Sequence, residues 1–210
     1  MHLDIRKIIH EKTLIDDLTI NNLLFKARLA PNVPATIGKV INGIYTTEYN
    51  KWCTASFITY DSFNQDVIDL IEKIKGKAET NYKLECFYPE VHFLKYKHGT
   101  EYKPHIDGQY VENDIAIRAI DRDLTCVVYL NDDYQGGEIE FNLFNLKIQP
   151  KKGDVLFYPT SFEYVHSVSK VIGERYAIVI WFKTSPELNV NKPINKYTAS
   201  YLQKLLNHDF

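Results

Sequence analysis

Cysteine is scarce in this chain: three residues in 210, Cys53, Cys86 and Cys126, with no Cys-x-x-Cys pair to suggest a zinc site or a thiol redox motif. An odd set of this kind reads as reduced, buried thiols. Long apolar runs are missing as well. The opening "MHLDIRKIIHEK" breaks its short apolar stretches with charge, which fits neither a signal peptide nor a membrane span. A cytoplasmic protein without a membrane partner is expected. Charge of one sign is not in excess: the formal net of -2 gives no electrostatic reason to expect a nucleic acid. No stretch rich in Gly, Pro or Ser divides the chain, and neither a repeat nor a low-complexity tract is present. The sequence therefore reads as one domain over 1–210, with helical support and flanking strands in 1–83, a core in 84–183 and an extension in 184–210.

What is present changes period along the chain. Residues 3–30 are mixed helical, with Ile5, Ile8, Ile9, Leu14, Leu18, Leu23 and Leu24 as candidate core contacts, and Pro31 and Pro34 end that region. The segment "DSFNQDVIDLIEKIKGKAE" predicts a helix capped by Asp61 or Ser62. Val67, Ile68, Leu70, Ile71 and Ile74 form its apolar face, and Gly76 marks its end or a fray. From residue 84 the pattern alternates. It predicts strands at 90–96, 102–107, 124–130, 138–142, 144–149, 154–158, 163–168 and 175–182, separated by Gly- and Asp-rich turns. The expected fold is mainly β: an antiparallel sandwich or jelly roll with the N-terminal helices packed on one sheet.

Composition predicts about half of one His-x-Asp triplet by chance. Two occur, His2-Leu3-Asp4 at the frayed start and His105-Ile106-Asp107 inside "PHIDG". On a strand, residues two apart face one side, so His105 and Asp107 can share a cavity. An imidazole and a carboxylate side by side supply two thirds of the 2-His-1-carboxylate set that holds non-haem Fe(II). The third ligand should lie downstream. His166 fits, on a strand candidate 59 residues after Asp107. His2, His10 and His208 are near the termini, His98 is in a turn, and His92 precedes the motif. Arg175 opens the strand "RYAIVIWF" and shares a face with Ala177, Val179 and Trp181. A buried arginine needs a partner, and a ligand carboxylate held by its planar fork would supply one. A salt bridge to Glu174 or Glu163 would be the ordinary alternative. His2-Leu3-Asp4 has no such company and reads as chance.

The pattern "FLKYKHGTEYKPHIDG … RDLTCVVYLNDDYQGGEIEF … IQPKKGDVLFYP … VHSVSKVIGERYAIVIWF" over residues 93–182 resembles the prolyl hydroxylases, which are Fe(II)- and 2-oxoglutarate-dependent dioxygenases. "LTCVVYLN" and "RYAIVIWF" resemble the hypoxia-inducible-factor prolyl hydroxylases, while "YKPHID" and "GGEIEF" also resemble the collagen-type and microbial prolyl 4-hydroxylases. Upstream, "KWCTASFIT" resembles the latter group's segment before its helix.

The resemblance implies a double-stranded β-helix core, with His105, Asp107 and His166 as iron ligands. It makes Arg175 the partner of the distal carboxylate of 2-oxoglutarate and Tyr129 a second contact to it. Tyr96, Tyr102 and Trp181 match aromatic residues of the same site, and each also reads as ordinary core or barrel lining. Collagen-type enzymes usually have Lys ten residues after the distal histidine, where this chain has Arg at nine; the departure points to the hypoxia-factor or bacterial type. The implied cosubstrates are 2-oxoglutarate and O2, with Fe(II) as cofactor and ascorbate as a further candidate. The implied substrate is a prolyl residue, hydroxylated at C4, in a peptide or protein held by loops at 45–57 and 108–121. Lining from Val127, Ile178 or Trp181, depending on strand faces, would keep water from the metal. The same chemistry on a free amino acid or other small molecule, and a non-catalytic jelly-roll binding module, are the competing readings.

Overall fold

Both α-helices precede residue 84, but strands lie on either side of it. The computed structural model describes residues 5–31, 33–41, 44–56, 65–112, 115–118, 120–186 and 193–195. In chain order the elements are β1 (Ile9–Glu11), α1 (Asp17–Leu29), β2 (Val33–Ile41), β3 (Ile44–Ser56), α2 (Gln65–Tyr82), β4 (Phe87–Tyr96), β5 (Tyr102–His105), β6 (Gln109–Glu112) and β7 (Ile115–Arg118). They continue with β8 (Leu124–Tyr129), β9 (Gln135–Gly136), β10 (Ile139–Phe141), β11 (Leu146–Ile148), β12 (Val155–Pro159), β13 (His166–Val168), β14 (Val171–Ile172), β15 (Arg175–Lys183) and β16 (Pro193–Asn195).

Two antiparallel sheets make the jelly roll. The larger has the order β1-β12-β8-β15-β4-β3-β2 and the smaller β11-β10-β13-β5. Alternation along β8, β12 and β15 sorts their side chains into two cores. Cys126, Val128, Phe157, Tyr176, Ile178 and Ile180 face outward onto α1 and α2, where Ile20, Leu23, Leu70 and Ile74 close over them. Val127, Tyr129, Leu156, Tyr158, Ala177, Val179 and Trp181 face inward and meet Ile139 and Phe141 of the smaller sheet. Ile178 therefore lies on the helix side, and of the expected lining residues only Val127 and Trp181 face the interior.

Several expected boundaries move. Helix α2 runs through Gly76 to Tyr82, because its buried positions Ile74 and Ala78 continue the apolar stripe past the glycine. Residues 3–30 are not one helical unit: a 3-10 turn at Ile5–Lys7 and β1 precede α1, whose Asp16 cap accepts from Thr19 N at 2.9 Å. Leu18 faces solvent at 72% exposure. The expected strand 163–168 begins only at His166. Pro159 closes β12, and a 3-10 turn at Phe162–Tyr164 buries both aromatic rings first. The expected strands 138–142 and 144–149 shrink to β10 and β11 around a turn ending at Asn145, φ 49°. Segment 45–57 is largely strand β3, and 108–121 carries the pair β6 and β7, so neither is a free loop. The expected Asp61 or Ser62 cap and the His2-Leu3-Asp4 triplet lie outside the described residues, as does most of the C-terminal extension. Cys86 and Cys126 are free and buried, as expected.

Candidate metal centre

Register brings the motifs together. β13 pairs with β5 so that His166 stands directly opposite His105, and Phe141 of β10 flanks His166 on the other side. Asp107 is not on the strand, as its spacing suggested. β5 ends at His105, and Asp107 turns in from the following bend. Gly108 follows in the same bend, and its amide reaches Thr160 O at 3.3 Å. A Cβ there would stand 2.6 Å from Thr160 Oγ1 and 2.8 Å from the Arg122 carbonyl.

The result is a cluster in which His105, Asp107 and His166 each offer a ligand atom, all within 4.8 Å of one another. Asp107 Oδ1 is 3.5 Å from His105 Nε2, and Asp107 Oδ2 is 3.9 Å from His166 Nε2. Both imidazoles are oriented from behind. Nδ1 of His105 lies 2.8 Å from the Lys103 carbonyl, and Nδ1 of His166 lies 3.0 Å from the Tyr164 carbonyl. A carbonyl only accepts, so both Nδ1 atoms carry a proton and both rings turn Nε2 toward the cluster. Burial, reinforced by His105, pushes His166 down to about 4 against the opposite pull of Asp107, so it is neutral at neutral pH. Burial alone would raise Asp107, but His166, His105 and the Thr125 hydroxyl, 2.7 Å from Oδ2, hold it well below the usual carboxylate range. This donor set, two imidazoles and one ionised carboxylate, fits Fe(II).

Arg175 is 2% exposed at the start of β15, with its guanidinium over the rings of Tyr96 at 4.6 Å and Tyr129 at 5.1 Å. Glu174 is engaged by Lys95 at 2.5 Å, and no carboxylate pairs with Arg175 among the described residues. Its Nε and the hydroxyls of Tyr129 and Tyr134 are buried without hydrogen-bond partners. Burial raises the Tyr129 phenol, which stays protonated and able to donate. A cation and neutral donors left unsatisfied in one place fit a small carboxylate ligand.

The other expected site residues are placed as follows. Tyr96 lies opposite Arg175 in the β4–β15 register. Tyr102 stacks on His105 at 4.1 Å, and Trp181 faces inward with His92 edge-on at 4.9 Å. Sequence reasoning missed Thr125, Tyr134 and Tyr158. The Tyr158 hydroxyl lies 3.0 Å from His166 Nε2. Thr125 shares the inward face of β8 with Val127 and Tyr129, and a polar residue on that face was the available signal.

In this antiparallel jelly roll two imidazoles and one carboxylate converge, near an arginine that lacks an anion among the described residues, and the arrangement suits a single metal ion. Residues 91–183 match the family model of the 2OG-Fe(II) oxygenase superfamily. Prolyl 3-hydroxylase 2 of Rattus norvegicus is 35% identical over 71 residues, 31% of this chain and 10% of that protein. The chain thus matches about a tenth of that relative's length. Among solved structures, a prolyl-4-hydroxylase of Pseudomonas putida superposes with TM-score 0.64 at 18% identity, covering 85% of this chain and 93% of that one. A prolyl hydroxylase of Trichoplax adhaerens, in complex with a hypoxia inducible factor peptide fragment, gives TM-score 0.65 at 16% identity, covering 87% and 86%. These likenesses show the shared fold.

Proposed function

We propose that the protein is an Fe(II)- and 2-oxoglutarate-dependent dioxygenase that hydroxylates a prolyl residue, at C4, in a peptide or protein. One pairing carries the reading: two Nε2 atoms converge with an ionised carboxylate, and the same protein holds a buried arginine with an orphaned Nε and, among the described residues, no anion. His105, Asp107 and His166 are the metal ligands in this reading, and Arg175 with the Tyr129 hydroxyl takes the distal carboxylate of 2-oxoglutarate.

When bound, Fe(II) and 2-oxoglutarate supply the oxidising chemistry, consuming O2 and releasing succinate and CO2. The chain's own side chains orient and exclude. Tyr129 and Arg175 fix the cosubstrate through donors that are already desolvated. Tyr102 and the Lys103 carbonyl hold the His105 ring. Val127, Val179 and Trp181 line the interior and keep water out. The peptide is supported by the Trichoplax relative's bound fragment, and position C4 by the name of the Pseudomonas relative. The rat relative's name points to C3 instead.

The test is anaerobic loading with Fe(II) and 2-oxoglutarate, then O2 exposure with proline-containing peptides, with and without ascorbate. Succinate release and a one-oxygen mass gain are expected together, and hydrolysis of the product separates 3- from 4-hydroxyproline. Equal 2-oxoglutarate turnover by wild type and His166→Ala would remove the iron assignment. Succinate without any oxygenated peptide would remove the prolyl substrate.

A further inference from the structure

Arg122, between the β6–β7 pair and β8, touches the walls of the site from three directions. Its Nε donates to Glu90 Oε2 at 2.7 Å and its Nη2 to Glu90 Oε1, a two-pronged fork onto β4. Its guanidinium carbon lies over the Trp181 ring, 3.8 Å from the centroid. Its Nη1 reaches the backbone carbonyl of Asp107 at 3.4 Å. Its own carbonyl accepts from Thr160 Oγ1 at 2.6 Å, and these two groups are the ones that leave no room for a Cβ at Gly108. Strand register explains the assembly. Trp181 of β15 pairs with Glu90 on one side and Thr125 on the other, and the Thr125 hydroxyl holds the Asp107 carboxylate.

We propose that Arg122 is a positioning residue for the metal centre. Asp107 sits beyond the end of β5, where no ladder fixes it, and two holds replace the ladder: Thr125 on its carboxylate and Arg122 on its carbonyl. Because the same guanidinium lies over Trp181 and forks onto Glu90, the turn that carries the ligand and the indole that walls the interior are set by one side chain. A planar group with donors on three nitrogens suits this task, and lysine cannot reproduce it. The inference rests on the metal reading proposed above.

The test uses Co(II) in place of Fe(II), read by binding affinity and by the visible absorption bands that report coordination geometry, in the full chain without cosubstrate. Loss of an outer hold on a metal ligand weakens affinity by roughly tenfold to a hundredfold. Arg122→Ala is expected to fall in that range with altered bands, and Arg122→Lys to fall between it and wild type. Ile74→Val, on α2 in the outer core, controls for general loss of stability and should keep wild-type affinity and bands. Arg122→Ala that is folded and binds Co(II) within about twofold of wild type with unchanged bands would overturn the role of Arg122 alone. Equal weakening in Ile74→Val would overturn it too, by reducing the effect to stability. Failure of wild type itself to bind Co(II) would overturn the metal reading, and this proposal with it.

Discussion

A histidine binds metal through the nitrogen that its other nitrogen leaves free, and here the backbone makes the choice. The carbonyls of Lys103 and Tyr164 take the Nδ1 protons and direct both Nε2 atoms to one point. The Tyr158 hydroxyl donates to the Nε2 lone pair of His166 at 3.0 Å. A metal has to displace that bond, whose net worth is about 0.5–1.5 kcal/mol. Tyr158→Phe should therefore bind Co(II) several-fold more tightly, by calorimetry; weaker binding would mean that the hydroxyl supports the bound state instead. Arg175→Ala makes the complementary prediction. It should raise the 2-oxoglutarate concentration needed for turnover at least tenfold, for a charge-assisted contact of about 1.5–3 kcal/mol, with Co(II) affinity unchanged. Loss of the metal would make the arginine structural. At this scale the sequence was legible where chemistry and spacing coincide, as in His105, His166 and Arg175. It was opaque for Thr125 and Tyr158, since only pairing across strands shows which polar atom meets which ligand.

Among the elements, β15 was readable almost in full: strict alternation separates Ala177, Val179 and Trp181 from Tyr176, Ile178 and Ile180, and the two sets enter different cores. β5 was not, because its end depends on the contact between Gly108 and Thr160, 52 residues apart in sequence. β1 was missed for the same reason: three residues carry too little pattern, and β12 supplies the pairing. The turn between β9 and β10 shows how an element tunes the site. Gly137 has φ 68°, and a Cβ there would lie 2.9 Å from Tyr134 Cε2 and 3.0 Å from Arg175 Cδ. Gly137→Ala is expected to cost about 1–3 kcal/mol in denaturant unfolding and to raise the 2-oxoglutarate requirement by displacing Arg175. Gly99, φ 81° with open space around it, is the control. Gly99→Ala should lose stability from backbone strain alone, with the 2-oxoglutarate requirement unchanged. If both variants shift that requirement equally, the steric route from Gly137 to Arg175 is wrong.

For the molecule as a whole, one contribution to acid stability comes from the Glu90 carboxyl on β4. Burial tends to raise Glu90, yet His92 and Arg122 outweigh it and lower the carboxyl from 4.5 to about 2. A depressed folded value means that this contribution is complete above about 4.5 and is lost as pH falls toward 2. Glu90→Gln should therefore flatten the decline of unfolding free energy between those values, and an unchanged slope would remove Glu90 from the account. The larger lever is ligand binding. His105 and His166 lie on the smaller sheet with Asp107 at its edge, whereas Arg175 and Tyr129 lie on the larger. A metal alone ties together groups of one sheet. A carboxylate cosubstrate that joins the metal to Arg175 ties one sheet to the other. Each ligand present at about one hundred times its dissociation constant adds about 2.7 kcal/mol, which for a chain of this size is roughly 5–10 °C in Tm. Co(II) followed by 2-oxoglutarate under anaerobic conditions should give two successive rises in a thermal melt, both reversed by EDTA. Arg175→Ala should keep the first and lose most of the second. A second rise that survives Arg175→Ala would mean that 2-oxoglutarate is held without the larger sheet.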